Sequence, residues 1–171
     1  DVDTRGTGAT VTPGGNSTGS NLVYWDLDSA NGIFTATWDD VGYYRRETRL
    51  LNAFQIALIN KNDGNFNIEL RYEDLNWTTG NASGGTGGLG GTVARAGWSS
   101  GNGSDYEELV ASGNQADMLN LTNTSNAGIE GLYRFGVRNG NVSIISEPNI
   151  IAMLSLALLI LARHFNRKIE K

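Results

Sequence analysis

Apolar and polar residues alternate most regularly in the second quarter of the chain. Phe54, Ile56 and Leu58 are each separated by one residue, and the same period resumes over residues 66–72. A period of two places successive side chains on opposite faces of a β-strand, so both runs are predicted to be strands buried on one face. Residues 62–65 between them have the sequence Asn-Asp-Gly-Asn, and Asp-Gly readily adopts the positive φ of a tight turn. The pattern therefore predicts an antiparallel hairpin.

Shorter runs of the same kind predict further strands on both sides of this hairpin. They cover residues 21–28, 33–44, 92–98, 106–110, 132–137 and 141–145. A short helix is predicted over residues 115–121, and Asn139-Gly140 is a favoured turn between the last two strands. Many short strands with Gly and Asn turns, and no long amphipathic helix, are typical of a mainly β fold. We predict an antiparallel, β-sandwich-like domain over residues 1–145, followed by one C-terminal apolar helix.

A glycine-rich segment follows the central hairpin. Trp77 is succeeded by Thr, Ser and Asn and by the glycines of residues 80–91. A large apolar side chain beside such a segment predicts backbone folded closely over the sheet. The segment lacks the Gly-Lys-Ser/Thr ending of a phosphate-binding loop, so a packed structural loop is the favoured interpretation.

The C-terminal residues depart from the strand pattern. Residues 149–162 are apolar except for Asn149 and Ser155, and Pro148 precedes them in a position that suits the first turn of a helix. A basic cluster follows directly, formed by Arg163, Arg167 and Lys168. The apolar run rises about 20 Å as a helix, less than the roughly 30 Å hydrocarbon core, although basic side chains extend its reach by snorkelling. Because the run has no polar face, a membrane-associated helix is favoured over a helix buried in the domain.

The charge differs between these two parts of the chain. There are 13 basic and 18 acidic residues in all, but residues 163–171 hold four of the basic ones and one acidic one. The remainder carries 9 basic against 17 acidic residues, or −8. An acidic body argues against nucleic acid as a partner, since phosphate contacts need a basic surface. A basic end beside an apolar run is typical of a membrane-topology signal.

The N-terminus and the absence of cysteine add two expectations. The chain starts at Asp1 with no initiating Met and no apolar leader, which indicates that a leader was removed or that a longer protein precedes it. The absence of cysteine excludes a disulfide framework and a thiolate metal site.

Several short motifs occur in a characteristic order over residues 1–138. They are DVDTRG from Asp1, FTATW from Phe34, NAFQ from Asn52, LNWTTG from Leu75, GLGG from Gly88 and GLYRF from Gly131. In this order they resemble the nidogen-like extracellular (NIDO) domain in its bacterial form. Family members usually have a further β segment before the Asp-Val-Asp element, so the resemblance implies that an N-terminal part of the domain is missing. It also implies an exported, non-enzymatic protein of adhesion, biofilm or matrix assembly, with animal relatives in basement membranes and at cell surfaces.

Residues 146–171 resemble a degenerate PEP-CTERM sorting signal, which has a Pro-Glu-Pro motif, an apolar helix and a basic end. Ser146 stands in place of the first Pro. The residues that match the signal or would serve an anchor are Glu147, Pro148, Arg163, Arg167 and Lys168. The resemblance implies attachment outside the cell after cleavage, and a plain C-terminal membrane anchor would leave the same traces. In either case the basic end favours a domain on the outer side of the membrane.

Candidate catalytic groups are few. The single histidine, His164, lies in the basic tail, which excludes a Ser-His-Asp triad or a histidine metal site in the β domain. The remaining candidates for a hydrolase are the neighbouring carboxylates Asp39 and Asp40, Glu73 and Asp74, and Glu107 and Glu108. Adjacent strand residues point to opposite faces, which counts against each pair as a catalytic dyad. We therefore predict no enzymatic activity.

Calcium is the one cofactor for which the residues offer ligands. Asp39, Asp40 and Asp63 are the candidates, because Ca²⁺ prefers oxygen ligands. Asp63 lies in the turn of residues 62–65, which lacks the repeated acidic positions and the closing Glu of an EF-hand. A plain turn without metal is therefore the favoured interpretation.

The sequence favours an exported protein of the cell surface or extracellular matrix. Its expected partners are matrix or cell-surface components, the membrane through the C-terminal helix, and other copies of itself. One alternative is a self-assembling filament subunit whose C-terminal helix lies in a protein core. Another is a carbohydrate- or calcium-dependent binding module.

Overall fold

The computed structural model describes residues 1–8 and 15–145. Within them the chain forms eight strands, a short α-helix and two 3₁₀ helices. In chain order these are β1 (Leu22–Asp28), β2 (Ile33–Tyr43), β3 (Glu47–Asn60), β4 (Phe66–Leu75), a 3₁₀ helix (Asn81–Ser83), β5 (Gly97–Ser99), β6 (Tyr106–Glu108), α1 (Gln115–Leu119), a second 3₁₀ helix (Asn120–Asn123), β7 (Leu132–Arg138) and β8 (Asn141–Ile144). The prediction of a mainly β chain is confirmed.

The predicted C-terminal helix lies outside the described residues. The same holds for every predicted sorting or anchor residue, namely Glu147, Pro148, Arg163, Arg167 and Lys168. Among the helices of the described part, none has the length and apolar character needed to span a membrane.

Six of the strands form one antiparallel sheet. Its order is β1-β2-β3-β4-β7-β8, and β5 and β6 form a separate two-stranded hairpin. The first four strands follow one another across the sheet, and β7 then returns beside β4. In the described residues, the second layer is this small hairpin with α1 rather than another full sheet, so the structure does not show the predicted sandwich of two sheets.

The central hairpin of β3 and β4 forms as predicted. Its turn places Asn62, Asp63 and Gly64 at φ values of 65°, 53° and 74°. The Lys61 amide donates to the Asn65 carbonyl at 2.8 Å, and the Asn65 amide donates to the Asn62 carbonyl at 2.9 Å. Positive φ at three successive positions explains the choice of Asn, Asp and Gly there, because these residues tolerate it best.

The pairing registers give the six-stranded sheet one apolar face and one polar face. A row across the apolar face consists of Phe34, Leu58, Ile68 and Phe135. The neighbouring row, on the polar face, consists of Thr35, Ala57, Glu69 and Arg134. The sequence alternation thus corresponds to two chemically distinct surfaces of one sheet.

The second layer covers the apolar face chiefly over β4 and β7. The core there consists of Ile68, Leu70, Met118, Leu121, Tyr133 and Phe135, with Trp98 of β5 and Leu109 packed against it. Helix α1 starts where predicted, because the Asn114 side chain accepts hydrogen bonds from the amides of Ala116 and Asp117 and so caps the first turn. It ends at Leu119, and the second 3₁₀ helix continues the chain.

The strand predicted over residues 92–98 is confirmed only at its end, in β5. The Thr92 amide donates to the Ser83 carbonyl at 2.9 Å, and the Ala94 amide donates to the Thr78 carbonyl at 3.0 Å. These donors bind the glycine-rich loop and the residues that precede it instead of a neighbouring strand. The alternation of residues 92–96 therefore does not reflect a β-ladder.

A second apolar cluster lies beneath the glycine-rich loop. It consists of Val41, Tyr43 and Trp77, and the Trp77 indole N–H donates to the Val41 carbonyl at 3.0 Å. Gly88 has a φ of 90°, and a Cβ there would lie 2.8 Å from Cβ of Trp77. The prediction of backbone folded closely over Trp77 is confirmed, and it requires glycine at this contact.

Candidate functional site

The N-terminal Asp-Val-Asp element joins the glycine-rich loop to the end of β2. The Asp1 carboxylate accepts hydrogen bonds from the Gly80 amide at 2.7 Å and the Ala82 amide at 3.1 Å. The Asp1 carbonyl accepts from the Tyr44 amide at 3.0 Å, and Val2 forms an isolated β-bridge with Tyr43. The first residues of the chain are thereby part of the folded domain.

The Asp3 carboxylate is the most fully bonded acid of this element. Its side chain is 3% exposed and accepts hydrogen bonds from the Arg5 amide, from Nε and Nη2 of Arg5, and from the Arg46 amide, at 2.6–3.1 Å. The side-chain hydrogen bonds from Arg5 lower the pKa of Asp3 well below its ordinary value, and they outweigh burial, which raises it. Asp3 is thus an ionised structural acceptor.

We expect the free energy of unfolding to decline as the pH falls below about 4, and Asp3→Asn to remove part of this dependence. A carboxyl with a depressed pKa in the folded state stabilises above its ordinary pKa of 3.8, and this contribution is lost as the pH falls towards the folded value. Asp3→Asn should cost about 2 kcal/mol near neutral pH and less in acid. Urea unfolding followed by tryptophan fluorescence across this range measures both effects.

Asp63→Asn is the control for this experiment, because Asp63 is exposed in the β3–β4 turn and Asn tolerates the same φ. A loss in Asp3→Asn that is equally large at neutral and acid pH would contradict the assignment. It would show that the carboxylate charge does not carry the effect.

Asp39 and Asp40 hold residues 15–20 against the sheet. The Asp39 carboxylate accepts from the Thr18 amide at 2.7 Å and from the Thr18 hydroxyl at 2.5 Å, and Asp40 accepts from the Gly19 amide at 2.8 Å. Glu73 of β4 accepts from the Ser17 amide at 2.9 Å. Three carboxylates from two strands therefore bind a segment that has no regular secondary structure.

The calcium candidates do not come together. Asp63 lies in the β3–β4 turn. Asp39 follows Trp38, whose partner Phe54 lies six residues before the end of β3, so the two aspartates are about 20 Å apart at 3.3 Å per residue of strand. Among residues 1–8 and 15–145, no three His, Cys, Asp or Glu side chains are grouped closely enough to hold a metal ion. The oxygens of Asp39 and Asp40 accept hydrogen bonds from residues 15–20, as described above.

The candidate hydrolase carboxylates include three with lowered pKa values. Burial raises the pKa of Asp39, but hydrogen bonds from Ser20 and Thr18 bring it below the ordinary value. Burial likewise raises the pKa of Glu73, and hydrogen bonds from residues 16–17 reverse the effect. The hydrogen bond from Arg95 lowers the pKa of Glu108. A general acid working at neutral pH needs a raised pKa, so the direction of these shifts suits ionised structural groups.

A hydrogen-bonded row crosses four strands on the polar face. Glu69, with a side chain 6% exposed, accepts from Arg71 at 2.6 Å and from Arg134 at 2.8 Å. Arg71 also donates to the Gln55 side chain, which donates to the Thr37 hydroxyl, each at 2.7 Å. Burial raises the pKa of Glu69, but the hydrogen bonds and charges of the two arginines lower it by more, so the pKa lies below its ordinary value. The two arginines of this row thus neutralise the buried charge of the Glu69 carboxylate.

The other half of the apolar face is open to solvent. We call it the open apolar half and define it by Val23, Trp25, Leu27, Phe34, Ala36 and Leu58. Trp25 is 73% exposed and Leu27 is 58% exposed, because neither α1 nor β5 and β6 reach β1. Where this half meets the covered half, a cavity of about 340 Å³ opens between the sheet and residues 94–97. Large exposed apolar surfaces mark contacts with other molecules.

The comparisons with known proteins point to one family. Residues 20–139 match the model of the nidogen-like domain. Alpha-tectorin of Gallus gallus is 38% identical over 112 residues, which cover 64% of this chain and 5% of that protein. Nidogen of Drosophila melanogaster is 36% identical over 138 residues, which cover 77% of this chain and 10% of that protein. The chain thus spans no more than a tenth of these relatives' length, and no solved structure matches it significantly.

Proposed function

Since the chain belongs to the nidogen-like domain family, we propose that it is a non-enzymatic structural protein of the cell surface or the extracellular matrix. The family match carries this proposal, because residues 20–139 include all of β1 to β7. The matched relatives are structural proteins of the extracellular matrix. On this proposal, the domain acts in adhesion or assembly through its surfaces.

The geometry of the carboxylates supports a structural role. Asp1 and Asp3 join the N-terminus to the loop and the sheet, and Asp39, Asp40 and Glu73 hold residues 15–20. Each of these groups is used to bind the backbone of this chain. Within the described residues, the polar face and the open apolar half are two surfaces available to a partner.

We further propose that residues 146–171 determine where the β domain is held. Their apolar run followed by a basic end would either anchor the chain in a membrane or act as a sorting signal that is removed after export. This proposal and the family match support each other, since both agree with a β domain outside the cell. We also propose that the chain is of the bacterial form of the family and that residues 146–171 are a degenerate PEP-CTERM signal.

Protease treatment of intact cells tests the proposed location. Cells that make the whole natural precursor are treated with an external protease, and we expect the β domain to be degraded while a cytoplasmic marker stays intact. A domain that resists digestion until the cells are lysed would overturn the proposal. Mass spectrometry of the mature C-terminus then separates the two modes: an end near residues 146–148 indicates sorting, and an intact Lys171 indicates an anchor.

A further inference from the structure

Strand β1 is an edge strand with few of the features that usually protect a sheet edge. It lies at the end of the strand order, and within the described residues no strand pairs with its outer side. Edge strands are commonly short, bulged, charged, or interrupted by Pro, and the charges of β1, Asp26 and Asp28, lie on its polar face only. β1 has seven residues, LVYWDLD, in unbroken register with β2 and without Lys or Pro. The opposite edge, β8, has only four residues.

The side chains of β1 extend this unprotected edge into an apolar surface. Val23, Trp25 and Leu27 lie on the apolar face and are 46%, 73% and 58% exposed. They form the outer margin of the open apolar half. An exposed backbone edge that also carries large apolar side chains is a template for pairing with another strand.

We propose that two copies of this chain join through β1, with the two strands antiparallel and centred on Trp25. On the apolar face this register places Val23 opposite Leu27 of the second copy and the two Trp25 side chains opposite each other. On the polar face it places Tyr24 opposite Asp26 of the second copy. The pairing unites two six-stranded sheets into one sheet with six strands from each copy.

The distribution of side chains along β1 selects this register. Residues opposite each other in an antiparallel pair share a face, so shifting the register by one residue would set apolar residues of one copy against polar residues of the other. Centring on Asp26 would place two like charges directly opposite, which is destabilising. Centring on Tyr24 would pair only residues 22–26. The register about Trp25 pairs all seven residues of β1 and opposes no two carboxylates.

The paired aromatic side chains give the interface its apolar centre. Cross-strand aromatic pairs stabilise antiparallel sheets, and the two Trp25 side chains would cover each other where each is now largely exposed. The open apolar halves of the two copies would then be continuous. This interaction goes beyond the proposed location and does not depend on it, so either one can fail without the other.

Disulfide mapping on the full chain in mild detergent tests the register directly, because the chain contains no cysteine. Opposed residues of antiparallel strands lie about 4.5–5.5 Å apart between Cα atoms, which suits a disulfide. We expect Trp25→Cys to form a covalent dimer on mild oxidation. Val23→Cys and Leu27→Cys should each fail alone and cross-link when mixed, at least tenfold above Ser104→Cys, an exposed control between β5 and β6. The register would be overturned if the mixture of Val23→Cys and Leu27→Cys cross-linked no more than Ser104→Cys, or if Val23→Cys alone cross-linked as much as the mixture.

The mass of the unmodified chain in the same detergent tests the dimer itself. Sedimentation should give two copies per particle for the natural sequence, and Trp25→Lys should raise the dissociation constant at least tenfold. Ile144→Lys is the matched control, because Ile144 is also an exposed apolar residue, but on the opposite edge strand. A monomeric natural chain, or equal effects of the two lysine variants, would overturn the proposal. Circular dichroism confirms that both variants are folded.

Discussion

Replacing Asn52 with alanine is expected to lower the free energy of unfolding by about 4 kcal/mol. The Asn52 side chain is buried where β3 passes the start of the glycine-rich loop, and it makes three hydrogen bonds to the backbone. Nδ2 donates to the Trp77 carbonyl at 2.9 Å, and Oδ1 accepts from the amides of Asn76 and Trp77 at 2.7 and 3.1 Å. Each buried group left without a partner costs about 1–3 kcal/mol, which makes this polar residue as important as a core side chain.

Urea unfolding monitored by circular dichroism measures the loss at Asn52. Asn141→Ala is the control, since Asn141 is exposed in β8 and its side chain donates to the Asn139 carbonyl at 3.3 Å. We expect a change within about 0.5 kcal/mol there, as is usual for surface substitutions. If Asn52→Ala lost less than about 1.5 kcal/mol, the loop would not depend on this side chain for its attachment.

Replacing Phe135 with alanine is expected to cost about 4 kcal/mol. Phe135 is 1% exposed in the centre of the covered half, where its ring lies 6.4 Å from that of Trp98. Its removal leaves a cavity between β7 and the second layer, and the lost contacts add to the lost transfer free energy.

Phe34→Ala is the matched control for this loss, because Phe34 lies in the same row of the apolar face but in the open half. A partly exposed side chain without a covering layer loses less transfer free energy and leaves no enclosed cavity, so we expect a cost below about 1.5 kcal/mol. The same urea titrations compare the two variants. Equal losses would show that the open apolar half is packed as closely as the covered one.

Local signals in the sequence were sufficient for the strands and the tight turns. The hairpin of β3 and β4 was predictable because its alternation and its Asp-Gly turn lie within about twenty residues of each other. The limits of β1, β2, β7 and β8 agree with the predicted strands to within two residues. Trp77 and the glycines beyond it also indicated the packed loop, since few other arrangements need both.

The coverage of the apolar face could not be predicted from the sequence. Val23, Trp25 and Leu27 alternate in the same way as Ile68 and Leu70, yet the first set is exposed and the second is buried. Alternation reports which face a residue lies on, and coverage depends on where the second layer is placed. That placement is set by contacts between distant segments, such as Trp98 against Phe135.

The hydrogen-bond partners of the carboxylates could not be predicted from the sequence either. Glu69 binds Arg134, 65 residues later in the chain, and Asp39 binds a loop that shows no pattern of its own. Because Asp39 and Asp40 are adjacent in the sequence, they were candidates for a pair of hydrolase carboxylates. In the fold, each of them accepts hydrogen bonds from main-chain amides. Every residue except proline has such an amide, so the sequence of residues 15–20 gives no sign of this contact.

That manner of holding residues 15–20 has a consequence for how the protein tolerates change. The carboxylates bind mostly amide groups of the main chain, so the side chain of Asn16 is nearly free to differ. Gly19 is constrained, because it has a φ of 75°, which side chains other than glycine rarely adopt. A label attached at position 16 would therefore be displayed from a backbone that the carboxylates continue to hold in place.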